Sequence, residues 1–257
     1  MRAQNLPAAA GWGWLTGGFA IFRRNPPILA LLVISYWFTI LLLNILPILG
    51  AVLASLAIPG LSVGLMQACR NIERGETAGL PTLFGSLKEN PRPLVALGGL
   101  YLLCTLGILG VSALADGGEL LGFMLSTRGL DPETLESGRL LAPSLVVLTL
   151  MVPLLMAYWY APVLVAWHRL SVAKALFFSF VACWLNWRAF FVYGLGLVLF
   201  AAIMPGLVLG LVAALFPGVQ NFLASLVTVP LVLIVAPTVF ASFYVSYRDV
   251  FTVSERV

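Results

Sequence analysis

Six stretches of this chain run for about twenty residues with almost no charge, each long enough to cross a bilayer as a helix. They are 28–46, 51–69, 94–115, 142–166, 189–215 and 222–245. Inside lipid a backbone can satisfy its own hydrogen bonds only as a helix or a closed barrel. Runs this long, with no two-residue alternation, select the helix. Composition agrees. Of 257 residues 61% are hydrophobic and 9% charged, with mean hydropathy +1.04, where a soluble domain carries ~25% charged residues. No soluble fold of this length hides so much apolar surface.

The net charge of +4 reads as membrane orientation rather than nucleic-acid binding, because the basic residues are split among loops. Residues 1–7 carry only Arg2. The first apolar run follows Arg23 and Arg24 and exceeds an h-region, so no cleaved signal peptide is expected. Cys69, Cys104 and Cys183 lie in or beside apolar runs without metal or redox spacing. They read as small packing residues.

Three short segments alternate with pairs of spans. The first, 8–24, places Trp12, Leu15, Phe19 and Phe22 at helical spacing and ends at Asn25-Pro26-Pro27. The second lies within the polar stretch 70–92, where Leu80, Leu83, Phe84 and Leu87 share a face. The third is about 172–187. Each suits a helix lying in the membrane interface.

Aligned on Asn25, Asn90 and Asn186, the segments share further positions. Ten residues earlier stand Leu15, Leu80 and Leu176; six earlier stand Phe19, Phe84 and Phe180. The second span of each following pair carries Pro59, Pro162 or Pro237, and a basic residue ends it: Arg70, Arg169 or Arg248. The expected fold class is therefore all-α: one polytopic membrane helix bundle over 1–257. Its six spans form three parallel two-helix repeats, about 8–70, 80–169 and 172–248, each led by a short interfacial helix. A rival makes 171–187 a seventh span. It would place Arg188 outside and break the repeat, and its length is the bottom of the spanning range.

With six spans, all but Arg128 and Arg139 of the fourteen Lys and Arg residues fall on one side. The positive-inside rule then places both termini in the cytoplasm. The long loop on the other side, 116–140, holds Asp116, Glu119, Asp131, Glu133 and Glu136. Asp131-Pro132 in it looks like a helix start. Asp116-Gly117-Gly118-Glu119 reads as a solvated turn, with too few assured oxygen ligands for a cation.

No ionisable residue falls at mid-membrane, which weighs against a proton-coupled pump or voltage sensor. His168 is the single histidine, so a multi-histidine metal site is excluded. No cofactor is expected. Ser171 and Ser179 lie near His168, but no motif pairs a nucleophile with a base, and catalysis is not expected. The candidate lipid or partner contacts are Trp159, Trp167, His168, Arg169, Lys174, Trp184, Trp187 and Arg188. The candidate helix kinks are Pro59, Pro162 and Pro237, which can free a carbonyl and either frame a cavity or shape packing. Gly60 and Gly64, and Gly194, Gly196 and Gly210, are expected to allow close helix contacts.

Two motifs carry a resemblance. One is Trp12 with Phe19, Phe22, Asn25 and Pro26; the other joins Ala161-Pro162, Trp167-His168 and Lys174 to Ser179. Together they resemble a proteobacterial family of multi-pass inner-membrane proteins with no assigned activity. The plan is also similar to the membrane domain that precedes some glycerophosphodiester phosphodiesterases, although no phosphodiesterase catalytic domain is present. The resemblance implies a bacterial inner membrane. Two functions stay open: a lipid- or protein-binding scaffold or assembly factor, which could also be a homo-oligomer, and a transporter or channel for a small neutral or amphipathic solute.

Overall fold

In a computed structural model, residues 3–46, 48–118, 122, 141–215, 218 and 220–251 are described. The candidate helix start at Asp131, and Glu119, Arg128, Glu133, Glu136 and Arg139, lie outside them. The described chain is helical. Its elements are α1 (Ala10–Arg24), α2 (Pro26–Leu43), α3 (Leu49–Arg74), α4 (Leu80–Glu89), α5 (Pro91–Asp116), α6 (Leu141–Trp159), α7 (Ala161–His168), α8 (Val172–Leu185), α9 (Trp187–Val198), a π-helical turn (Leu199–Ile203), α10 (Met204–Leu215) and α11 (Gln220–Phe251).

Six helical stretches are long and apolar enough to cross a membrane; α6 and α7 together make the fourth, and α9 to α10 the fifth. The 14 residues of α8 rise ~21 Å. That is short of the ~30 Å hydrocarbon core, so α8 is no seventh span.

The three aligned asparagines each stand at the N-cap of a long helix: Asn25 before α2, Asn90 before α5, Asn186 before α9. Their side chains differ in use. Asn25 Oδ1 accepts from the Ile28 N–H at 3.4 Å. Asn90 makes no side-chain cap bond. Asn186 is buried and holds the N-terminal arm. Its Oδ1 accepts from the Leu6 N–H at 2.8 Å, and its Nδ2 donates to the Gln4 carbonyl at 2.8 Å and the Ala182 carbonyl at 2.9 Å.

Each short helix packs on the pair of long helices before it. α4 lies on α3 and α2; α8 lies on α6, α7 and α5; α1 lies on α11 and α9, the last pair in the chain. The contact thus closes head to tail into a ring, and the Gln4 N–H donates to the Val250 carbonyl at 2.9 Å across the seam. Lipid gives no hydrophobic drive between helices, so close approach of small residues matters. A Cβ on Gly64 of α3 would overlap the Leu83 carbonyl of α4, and one on Gly18 of α1 would overlap the Ser242 backbone of α11. Gly60 abuts the Leu87 side chain, and Gly196 abuts Leu15. Gly194 and Gly210 do not serve this role. A Cβ at either meets nothing within 4 Å.

Of the three kink candidates, Pro162 alone interrupts its helix: α6 stops at Trp159 and α7 starts at Ala161. Pro59 and Pro237 are buried within α3 and α11, which continue through them.

Candidate functional site

The candidates separate into two places. The first is a cap where the ends of α3, α7 and α11 meet. There Trp167 packs edge-on to Tyr247, with centroids 5.1 Å apart, and the Arg70 guanidinium stands 5.0 Å from the Trp167 ring. His168 Nε2 is 2.6 Å from Tyr247 Oη. Glu73 of α3 gathers the neighbouring cations and hydroxyl. It accepts from Tyr244 Oη at 2.7 Å and pairs with Arg248, and its backbone carbonyl accepts from Arg24 at 2.6 Å. Arg248 also pairs with Asp249. Residues from α1, α3, α7 and α11 are thereby tied together, and His168 and Trp167 face other parts of the same chain. Sequence reasoning missed Glu73, Tyr244 and Tyr247; their 171-residue and 79-residue separations from their partners leave no local signal.

Because the Arg248–Glu73 pair is partly exposed, it contributes modestly. Glu73→Ala is expected to cost about 1 kcal/mol, or a Tm drop of about 2–4 °C in a chain of this size. Thermal unfolding in detergent checks this. A change several times larger would show that the cap is drier than its exposure implies.

The second place is a groove of about 570 Å³ between α6 and α9. Val152, Leu155, Met156 and Trp159 form one wall; Trp187, Phe190, Phe191, Gly194, Leu195 and Val198 form the other; Cys183 of α8 contributes beside them. Every lining side chain is apolar or a thiol, and burial pushes the Cys183 thiol up to about 12, so it stays protonated. Aromatic packing explains the gap. Trp14 of α1 holds Phe190 and Tyr193 at 5.2 and 5.6 Å, and the Tyr193 and Ser242 hydroxyls are 2.8 Å apart. α9 packs along α1 and α11, while α6 reaches it through Trp159, edge-on to Phe190 at 5.5 Å and Tyr193 at 6.3 Å; the groove opens beside that bridge. At the two corresponding junctions the helices touch. A Cβ on Gly98 of α5 would overlap Ser55 of α3, and Tyr36 of α2 and Phe240 of α11 are 5.3 Å apart.

Trp159 and Trp187 therefore line the groove, and Arg188 stands at its end, its guanidinium 5.4 Å from the Trp187 ring. Lys174 is exposed; Trp184 is exposed too and stacks on Phe180. Arg169 has φ +50° and closes α7, its N–H donating to the Leu164 carbonyl, so its backbone makes the tight turn into α8. Among the described residues no cluster of three His, Cys, Asp or Glu side chains could hold a metal.

A protein of Burkholderia thailandensis described as a probable inner membrane protein is 38% identical to this chain over 262 residues, spanning 99% of this chain and 96% of the relative. No family model matches the chain, and no solved structure matches it. The likeness to the membrane domain of some glycerophosphodiester phosphodiesterases gains no support from these comparisons. The relative and the six membrane-length helices together make this a multi-pass inner-membrane protein.

Proposed function

This chain belongs to the family of the Burkholderia inner membrane protein, and on that premise we propose that it is a lipid-binding scaffold of the inner membrane with no catalytic centre of its own. The lateral groove between α6 and α9 carries this reading. It opens on the outer face of the bundle, where Val152, Leu155, Trp187, Phe191, Leu195 and Val198 are exposed, and its lining offers dispersion contacts to a hydrocarbon chain. The cap supports the scaffold half of the proposal. It ties distant helices into one frame through side chains already engaged with each other.

The proposed frame is three related units, each led by a short interfacial helix. Supporting it, the aligned positions Gly18, Leu83 and Ser179 all contact the backbone of the pair of long helices before them. The proposed orientation places both termini in the cytoplasm by the positive-inside rule. With the native cysteines replaced by alanine, Glu76→Cys and Ser137→Cys are expected to react with an impermeant maleimide from opposite sides. Labelling of both from one side sinks the topology.

The lipid reading is tested by mass analysis of protein purified in mild detergent. Wild type is expected to retain lipid at about one per chain or more. Gly194→Phe, which fills the groove from a glycine with open space before it, is expected to lose it. A lipid-free wild type overturns the reading.

A further inference from the structure

Resting on that reading, we infer that the groove selects an anionic glycerophospholipid, with one acyl chain between α6 and α9 and its phosphate against Arg188. Three observations meet here. The α9 side of the groove runs from Trp187 to Val198, ~16 Å at helical rise, which matches ~15 Å, half of the hydrocarbon core. One leaflet's acyl chain therefore has the length to occupy it.

The charge is one-sided. α6, α8 and α9 carry no Asp or Glu, while α8 carries Lys174 and α9 carries Arg188. Arg188 follows directly on groove-lining Trp187 and lies against its ring. An arginine presents planar paired donors that fit a phosphate. Trp184 and Trp187, both exposed, flank it at the level that tryptophan favours between headgroup and hydrocarbon. A second copy of the chain, or a partner helix, would meet the groove with its own apolar ridge and show in the oligomeric state.

The experiment uses the full chain in nanodiscs of phosphatidylcholine with a minor fraction of phosphatidylglycerol. Native mass spectrometry reads both the lipids kept on ejection and the oligomeric state. Wild type is expected to keep phosphatidylglycerol roughly fivefold above its share of the disc, the size of one basic residue's attraction. Arg188→Gln should still keep lipid but lose that enrichment. Gly194→Phe should lose the retained lipid, while Gly210→Phe, at another open glycine outside the groove, should behave as wild type. Lipid kept without headgroup preference, unchanged by Arg188→Gln, overturns this inference and leaves the groove reading intact. No retained lipid in wild type overturns both. A dimer that Gly194→Phe dissociates overturns the inference in favour of a second copy.

Discussion

Asn186→Ala is expected to cost about 3 kcal/mol and to release the N-terminal arm from the bundle. The side chain makes three hydrogen bonds, two of them to the arm at Gln4 and Leu6. A typical bond contributes about 1 kcal/mol, and a buried group left unpaired costs about 1–3 kcal/mol. The arm would keep the bond from the Gln4 N–H to the Val250 carbonyl and the packing of Ala3 and Leu6 on the core. Hydrogen exchange over residues 4–9 should rise sharply, and the unfolding midpoint in mixed micelles should fall. Asn186→Asp keeps the acceptor for Leu6 but loses both donors, and should fall between. Asn90→Ala is the control, since Asn90 makes no side-chain cap bond; its effect should stay within about 0.5 kcal/mol. Equal losses at Asn90 and Asn186 would show that the cap position matters and the arm contact does not.

The two asparagines also mark what was legible in the sequence. The six spans and the three short helices follow from local signals: apolar length, helical spacing and, at Asn25 and Asn90, an Asn-Pro break. What each asparagine bonds to depends on residues up to 182 positions away, and no window of sequence holds that. The tryptophans behave the same way. Trp159 and Trp167 both belong to the fourth span. Yet one lines the groove and the other packs in the cap. The helix break at Tyr160, beside the kink candidate Pro162, separates them. The groove itself is a junction whose helices meet only through Trp159, edge-on to Phe190. Its far wall is held by Trp14 against Phe190 and Tyr193, a contact between the first short helix and the fifth span. Glycine roles were misread for a related reason. Gly194 and Gly210 have the composition of contact positions, but contact depends on which face the neighbouring helices cover.

That break at Tyr160 supplies the second large effect. Pro162 has no N–H to offer the Tyr158 carbonyl, and its ring pushes the preceding turn open. In an unbroken helix the Tyr160 N–H would donate to the Met156 carbonyl. Here the Ser179 hydroxyl of α8 stands between them, accepting from Tyr160 N–H at 2.9 Å and donating to the Met156 carbonyl at 2.8 Å. Ser179 is fully buried, so water does not replace it. Ser179→Ala strands one donor and one acceptor, and at about 1–3 kcal/mol for each unpaired group the loss should be about 2–4 kcal/mol. The serine near His168 is thus a structural hydroxyl, spliced into a helix that its own proline opened. The account makes a non-additive demand. Pro162→Ala restores the missing N–H and lets Tyr160 bond Met156 directly, so it should be costly or neutral alone yet recover roughly half of the Ser179→Ala loss when combined. Unfolding midpoints of the two single variants and the double variant decide it. Strictly additive losses would mean that Ser179 stabilises the α6–α8 packing by its volume and not by bridging the break.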